Sequence, residues 1–437
     1  MTPSIINTIG ELEPERCSRR ANVIEALGVT TALFVIMWPF CYGWGVLGDN
    51  AAVRQVAQWP LVALFVWVVF VSPRLHGDTA ESLGVGNPRE LWRTIRERRG
   101  FRRVRLVGAV VTIACVIFLL TVANWPESAR MLRLPVAARQ WILAPHGWVP
   151  VCAIAGALSV FVATCAIRYD NYAPAFRAAL CVSAGLFVFA GAGAMLHRGP
   201  AVFANFDAAR WGLDAIAYMF WGYAQQFLFT SYFATRLRKG FAPAPAAEKS
   251  VPLALRPRFV AIGGLLTATT IAPAFWLAVR NLYGANHAPL AMLAWFAVFA
   301  FPIGALWAHF YCRDRRRMLV ATLAGSIFGL IHIDSYGLVL VTTGLGTILA
   351  WLFMDARYRN LSALGFIHGV LGSTFGKLFK GAGAGTLRVD YRVGPWNVEE
   401  PTFAVLVIPT LCLCGFLALT MYFSRREAWV GSEAATP

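Results

Sequence analysis

Charge is scarce in this chain, and that scarcity decides its class. Only 14% of its 437 residues are charged, 58% are hydrophobic, and the mean hydropathy is +0.58. So much apolar surface exceeds what one aqueous core can bury, which excludes an ordinary soluble protein and leaves a polytopic integral membrane protein. Acids are the rarer sign, with 22 Asp and Glu against 39 Lys and Arg and a formal net charge of +17. The arginines fall in clusters between apolar runs, the pattern of cytoplasmic loops. The excess charge therefore reads as membrane orientation: the bilayer is the expected partner and nucleic acid is not.

Paired cysteines are also missing. The nine cysteines are scattered, most of them inside apolar runs (Cys41, Cys115, Cys152, Cys165, Cys181, Cys412 and Cys414). None has a zinc or redox spacing, so they read as small core hydrophobes. The N-terminal MTPSIINTIGELEPERCSRR puts acids before bases and has no apolar core, so it is read as no cleavable signal peptide, with the first span serving for insertion. No internal repeat and no low-complexity tract stands out.

What is present is one apolar run after another. Taking roughly 20 residues per crossing, about twelve candidate spans begin near residues 26, 55, 106, 148, 175, 210, 259, 288, 318, 335, 361 and 402. The second is short and the eleventh rich in glycine, and either reads equally as a re-entrant or interfacial segment. The expected fold is therefore all-α, a polytopic bundle of about 10 to 12 transmembrane helices. Alternate loops are basic: Arg16 to Arg20, Arg74 to Arg105, weakly Arg168 with Arg177, Arg236 to Arg258, Arg313 to Arg317, Arg357 with Arg359, and Arg425 with Arg426. That alternation predicts a multi-pass protein of the cell membrane with both termini in the cytoplasm. The run RELWRTIRERRGFRRVR reads as a basic helix on the inner leaflet or as a plain stop-transfer cluster. FAPAPAAEKSVP, residues 241–252, reads as a linker.

Buried polar residues are few up to about residue 200 and concentrate after Arg210. The expected division is an N-terminal helical bundle over 1–205, a functional core over 206–385, and a C-terminal helix with its tail over 386–437. Within that core two apolar runs each carry one histidine, His332 and His368, and a third carries Gln225, Gln226, Thr230 and Ser231. An imidazole placed in hydrocarbon must find a partner or cost stability. At about 1.5 Å of rise per residue, Gln225 lies about 16 Å from Arg236, His332 about 22 Å from Arg317 and His368 about 14 Å from Arg359. All three depths allow a meeting near mid-membrane. The blander reading stays open beside it: histidines bonded to neighbouring carbonyls and glutamines joining helices. His76, His146, His197 and His287 fall in predicted loops and need no role, and His309 lies near the Arg313 cluster at a helix end.

The order and spacing of these residues resemble the CPBP intramembrane endopeptidases, the family of CAAX prenyl proteases and bacteriocin-processing enzymes. That family carries a Glu-Glu pair with an Arg four residues after the second Glu, then Phe-x-x-x-His, then His-x-x-x-Asn or Asp, on separate membrane helices. Here the second signature is intact as Phe328 to His332, and the third keeps its histidine, His368. The first survives in outline: Gln225 and Gln226 stand in the glutamate places, Phe229 matches the usual Phe, Thr230 replaces the Arg, and Gly372 replaces the Asn or Asp. The resemblance covers roughly residues 210–380.

It implies a protease in which Gln225 and His332 occupy the water-activating places and His368 and Gly372 the oxyanion places, with no cofactor and no metal. The expected substrate is a lipidated or membrane-embedded protein segment. A carboxamide accepts no proton at accessible pH, so Gln225 can orient a water but cannot deprotonate it. His332 is then the sole base, with Asp334 two residues on to orient or assist it and Ser373 as the stand-in for Gly372 at the oxyanion place, or the protein is a pseudoprotease serving as a scaffold or immunity protein. A zinc site from His332, His368 and Asp334 would lack the family's glutamate. A solute transporter is the third class, and the lopsided distribution of polar residues argues against it.

Overall fold

The computed structural model describes residues 17–38, 58–89, 167–204, 206–241, 253–283, 289–332 and 336–378, with a few isolated residues between them. Predicted spans near 106, 148 and 402, the basic segment around Arg99, the linker and Asp334 lie outside the described residues. Every described element is helical. In chain order they are α1 (Arg19–Val35), α2 (Gln58–Val66), α3 (Tyr172–Arg198), α4 (Ala208–Gln226), α5 (Phe233–Gly240), α6 (Arg256–Tyr283), α7 (Leu290–Arg313), α8 (Arg315–Leu330), α9 (Tyr336–Phe353) and α10 (Leu361–Leu378). A π turn, Trp67–Val71, carries α2 on through Ser72–His76, and a second, Phe227–Tyr232, links α4 to α5.

Each of the nine predicted spans that falls on described residues is a helix at the expected place. Four segments are long and apolar enough to cross a membrane: Arg19–Trp38, Trp59–His76, Tyr172–Met195 and Leu290–Arg313. Their composition explains the exposure of large side chains such as Trp59, Val188, Leu290 and Leu306, since helices that are apolar all round face lipid or other helices.

The described residues fall into two compact units. The first joins the residues up to Asp78 with Leu228–Met354, and the second joins Thr79–Phe227 with Asp355–Gly381. The predicted core over 206–385 therefore contributes to both units.

In the first unit small residues set the helix pairing, because they let two helix backbones approach closely. Gly325 and Gly329 of α8, four residues apart, lie so close to Thr347 and Thr343 of α9 that neither position has room for a Cβ. Gly263 and Gly304 bring α6 and α7 together in the same way. Asp314 caps α8 by accepting from the Arg317 backbone N at 3.0 Å, and the Arg317 guanidinium donates to the Trp351 carbonyl while lying 4.2 Å from that indole's centroid.

In the second unit α10 packs against α4 and α3. Its start is held by Asn360, whose Oδ1 accepts from the Ala363 backbone N at 3.2 Å and whose Nδ2 donates to the Arg168 carbonyl at 2.8 Å. Arg168 in turn donates to the Glu81 carbonyl at 2.9 Å, and Asn171 Nδ2 to the Ala356 carbonyl at 2.8 Å. Three connecting segments are thereby fixed at one end of the bundle.

Candidate functional site

The polar centre of the second unit begins with glycine. On α10, Gly365, Gly369 and Gly372 recur along one face, and Cβ atoms there would press on the Met219 carbonyl, the Ala215 carbonyl and the Tyr218 ring of α4. That stripe lets the two backbones approach as only small residues permit. On α4, Gly222 answers it: a Cβ there would stand 2.8 Å from the His368 ring. The imidazole thus rests against bare backbone. One turn further along α4, Gln226 comes into register with it, and its Nε2 lies 2.9 Å from His368 Nδ1. Gln226 is 0% exposed and His368 8%.

Around this pair the same two helices are laced together by polar groups. Trp211 Nε1 donates to Thr374 Oγ1 at 3.1 Å, Ser373 Oγ donates to the Trp211 carbonyl at 2.7 Å, and Lys377 pairs with Asp214 at 2.6 Å. Ser373, weighed above as a stand-in at the oxyanion place, is thus bonded to a backbone carbonyl. Gly372 packs on the Tyr218 ring. Gln225 is half-buried, while its neighbour Gln226 is the one that meets the histidine. Adjacent residues on a helix point about 100° apart, so one glutamine facing His368 turns the other away.

His332, Phe328, Phe229 and Thr230 belong to the first unit. Phe229 and Phe328 are buried with ring centroids 5.0 Å apart, and Thr230 is buried beside Phe229 in the π turn. The QQFLFT stretch therefore straddles the switch from α to π geometry, a distortion often found at functional sites. His332 follows the end of α8, half-buried, with Nδ1 2.9 Å from the Phe328 carbonyl and its ring edge-on to Phe328.

Each of the two rings has its Nδ1 held by a named partner. A carbonyl only accepts, so Nδ1 of His332 donates and Nε2 is the basic nitrogen of the neutral ring. The Gln226 carboxamide carries both a donor and an acceptor, so its contact with His368 Nδ1 holds the ring in place with either tautomer.

Sequence reading missed a large polar cluster among the described residues of the first unit. Glu25 of α1 accepts from Tyr232 Oη at 2.8 Å, from Trp67 Nε1 at 3.3 Å and from His76 Nε2. Arg236, 0% exposed, donates to Ser72 Oγ at 2.8 Å, to Asn22 Oδ1 at 3.3 Å and to Asp78. Lys239 Nζ lies 2.6 Å from the other Asp78 oxygen. His76, read above as a loop residue without a role, is buried at a helix end and paired with Glu25. The signal was there in outline: Glu25 and Asp78 are acids beside apolar runs in a chain poor in acids. Only tertiary contact shows that they face α5.

Compared with protein-family models, with curated proteins and with solved structures, the chain finds no match.

Proposed function

We propose that the chain is a multi-pass protein of the cell membrane, both termini cytoplasmic, that works as an intramembrane endopeptidase-like protein of the CPBP type on a lipidated or membrane-embedded protein segment. The observation that supports the reading is the motif histidine His368, buried on the glycine seam between α4 and α10 and met there by Gln226. By the resemblance His332 falls in a water-activating place, where a general base is commonly worth about 10²- to 10⁴-fold. By the same resemblance His368 falls in an oxyanion place, where a donor is worth about 10²- to 10³-fold. Gln226 is a positioning residue that holds the His368 ring. No cofactor is invoked.

A second reading has its own support. Both places where the family carries carboxylates hold amides, and amides hold partners without moving protons. A pseudoprotease that binds a membrane-embedded segment without cutting it follows from that.

The purified full chain, offered prenylated and transmembrane peptides beside His332→Ala and His368→Ala variants, separates the two. Cleavage by the wild-type protein that both variants lose supports the enzyme. Equal cleavage by all three removes it. No cleavage, with a membrane-protein partner still captured after loss of both histidines, establishes the second reading.

A further inference from the structure

Arg238 of α5 is buried, and among the described residues it has no counter-ion of its own. Its side chain is 5% exposed, and among the described residues its Nε and Nη2 meet no hydrogen-bond partner. Thr235, three residues earlier and so on the same helix face, is 0% exposed, and its Oγ1 likewise meets no partner among the described residues. A desolvated guanidinium left unpaired is among the costliest groups a fold can hold.

The neighbouring charges do not balance it. Asp78 reaches Arg238 electrostatically, yet both its carboxylate oxygens are already engaged, by Arg236 and by Lys239. Glu25 is occupied by His76, Tyr232 and Arg236. The described cluster thus sets two carboxylates, Glu25 and Asp78, against three cations, Arg236, Arg238 and Lys239. Protonation of His76 would add to the surplus and deprotonation would not remove it. Among the described residues at least one positive charge remains over.

We propose that a phosphate-bearing anion completes this cluster, held by the Arg238 guanidinium with the Thr235 hydroxyl beside it. The planar fork of arginine donors matches phosphate oxygens two at a time, and a hydroxyl on the same face adds a third donor. A phospholipid headgroup and free inorganic phosphate share this chemistry.

The test uses the full chain purified in mild detergent. Native mass spectrometry counts retained lipid after incubation with phosphatidylglycerol or phosphatidylcholine vesicles, and thermal unfolding is followed during titration with inorganic phosphate. Arg238→Gln and Thr235→Val are compared with Arg357→Gln, which alters an exposed arginine. If a headgroup is the ligand, the wild-type protein and Arg357→Gln retain phosphatidylglycerol over phosphatidylcholine, and Arg238→Gln binds it about tenfold or more weakly. If free phosphate is the ligand, phosphate raises the unfolding temperature of wild type and not of Arg238→Gln, without lipid preference. Retention unchanged in Arg238→Gln, or no effect of either anion on wild type, overturns the proposal. The wild-type arms and Thr235→Val keep the test decisive should Arg238→Gln fail to fold.

Discussion

Replacing Asp78 by asparagine is the sharpest test of the buried charge cluster. Its carboxylate is 0% exposed and lies between Arg236, also 0% exposed, and Lys239, 3% exposed. The amide keeps the shape and removes the charge, leaving two cations out of water. Arg236 retains Ser72 Oγ, Asn22 Oδ1 and, at 3.6 Å, Glu25, whereas Lys239 has no other ion-pair partner among the described residues. Removing one member of a buried pair commonly costs about 3 to 5 kcal/mol, a large share of the roughly 5 to 15 kcal/mol that separates folded from unfolded protein.

The loss has a pH signature. Burial by itself raises the Asp78 carboxyl, but Arg236 and Lys239 outweigh it and hold the group below its ordinary value of 3.8. A depressed folded pKa contributes stability that is complete above the ordinary value and is lost as pH falls through the folded one. Unfolding in detergent, followed by tryptophan fluorescence from neutral pH down to about pH 3, should show wild type losing stability at the acid end. Asp78→Asn should be weaker throughout and lack that acid-dependent part. Adding Lys239→Met to Asp78→Asn should recover part of the loss, since the stranded cation is gone. A cost below about 1 kcal/mol at neutral pH, or no recovery in the double variant, would refute the assignment of these contacts as a buried ion pair.

Other expectations follow from packing and hydrogen bonding. Gly369→Val drives a side chain into the α4 backbone at Ala215 and Met219 and should cost about 1 to 3 kcal/mol or more in thermal unfolding. Gly344→Ala, where a Cβ meets nothing within 4 Å, should be neutral or stabilising by about 0.5 to 1 kcal/mol. Gln226→Leu removes the amide partner of His368 Nδ1 and should cost about 1 to 3 kcal/mol. Gln226→Glu puts an acceptor-only carboxylate there and should make Nδ1 the protonated nitrogen, which ¹⁵N spectroscopy of the imidazole reports directly. Asn360→Ala removes a helix cap and the bond to the Arg168 carbonyl and should destabilise by about 1 to 2 kcal/mol.

The positions of the helices were legible because apolar length is a property of the local chain. Runs such as YGLVLVTTGLGTILAWLF announce their helix whatever lies beside them. His368 and the glutamines could be singled out because polar groups in such runs must be answered. Which glutamine answers was not legible: Gln225 and Gln226 differ only in direction, and the glycine face of α10 chose between them. The Glu25 and Asp78 cluster was hidden for another reason, since its members lie more than 150 residues from Arg236 in sequence. Nothing in their own surroundings says that α5 will meet them.

By itself, then, the sequence determined an all-helical chain of apolar segments, where those segments begin, and which few side chains hydrocarbon would not tolerate alone. Tertiary structure decided the pairings: Gln226 with His368 across a glycine seam, His332 with its own helix carbonyl, and Arg236 and Lys239 with a distant aspartate. Burial preferences act residue by residue and can be read along a line. A hydrogen bond or an ion pair needs two groups within about 3 Å of each other, and only the packed fold sets that separation.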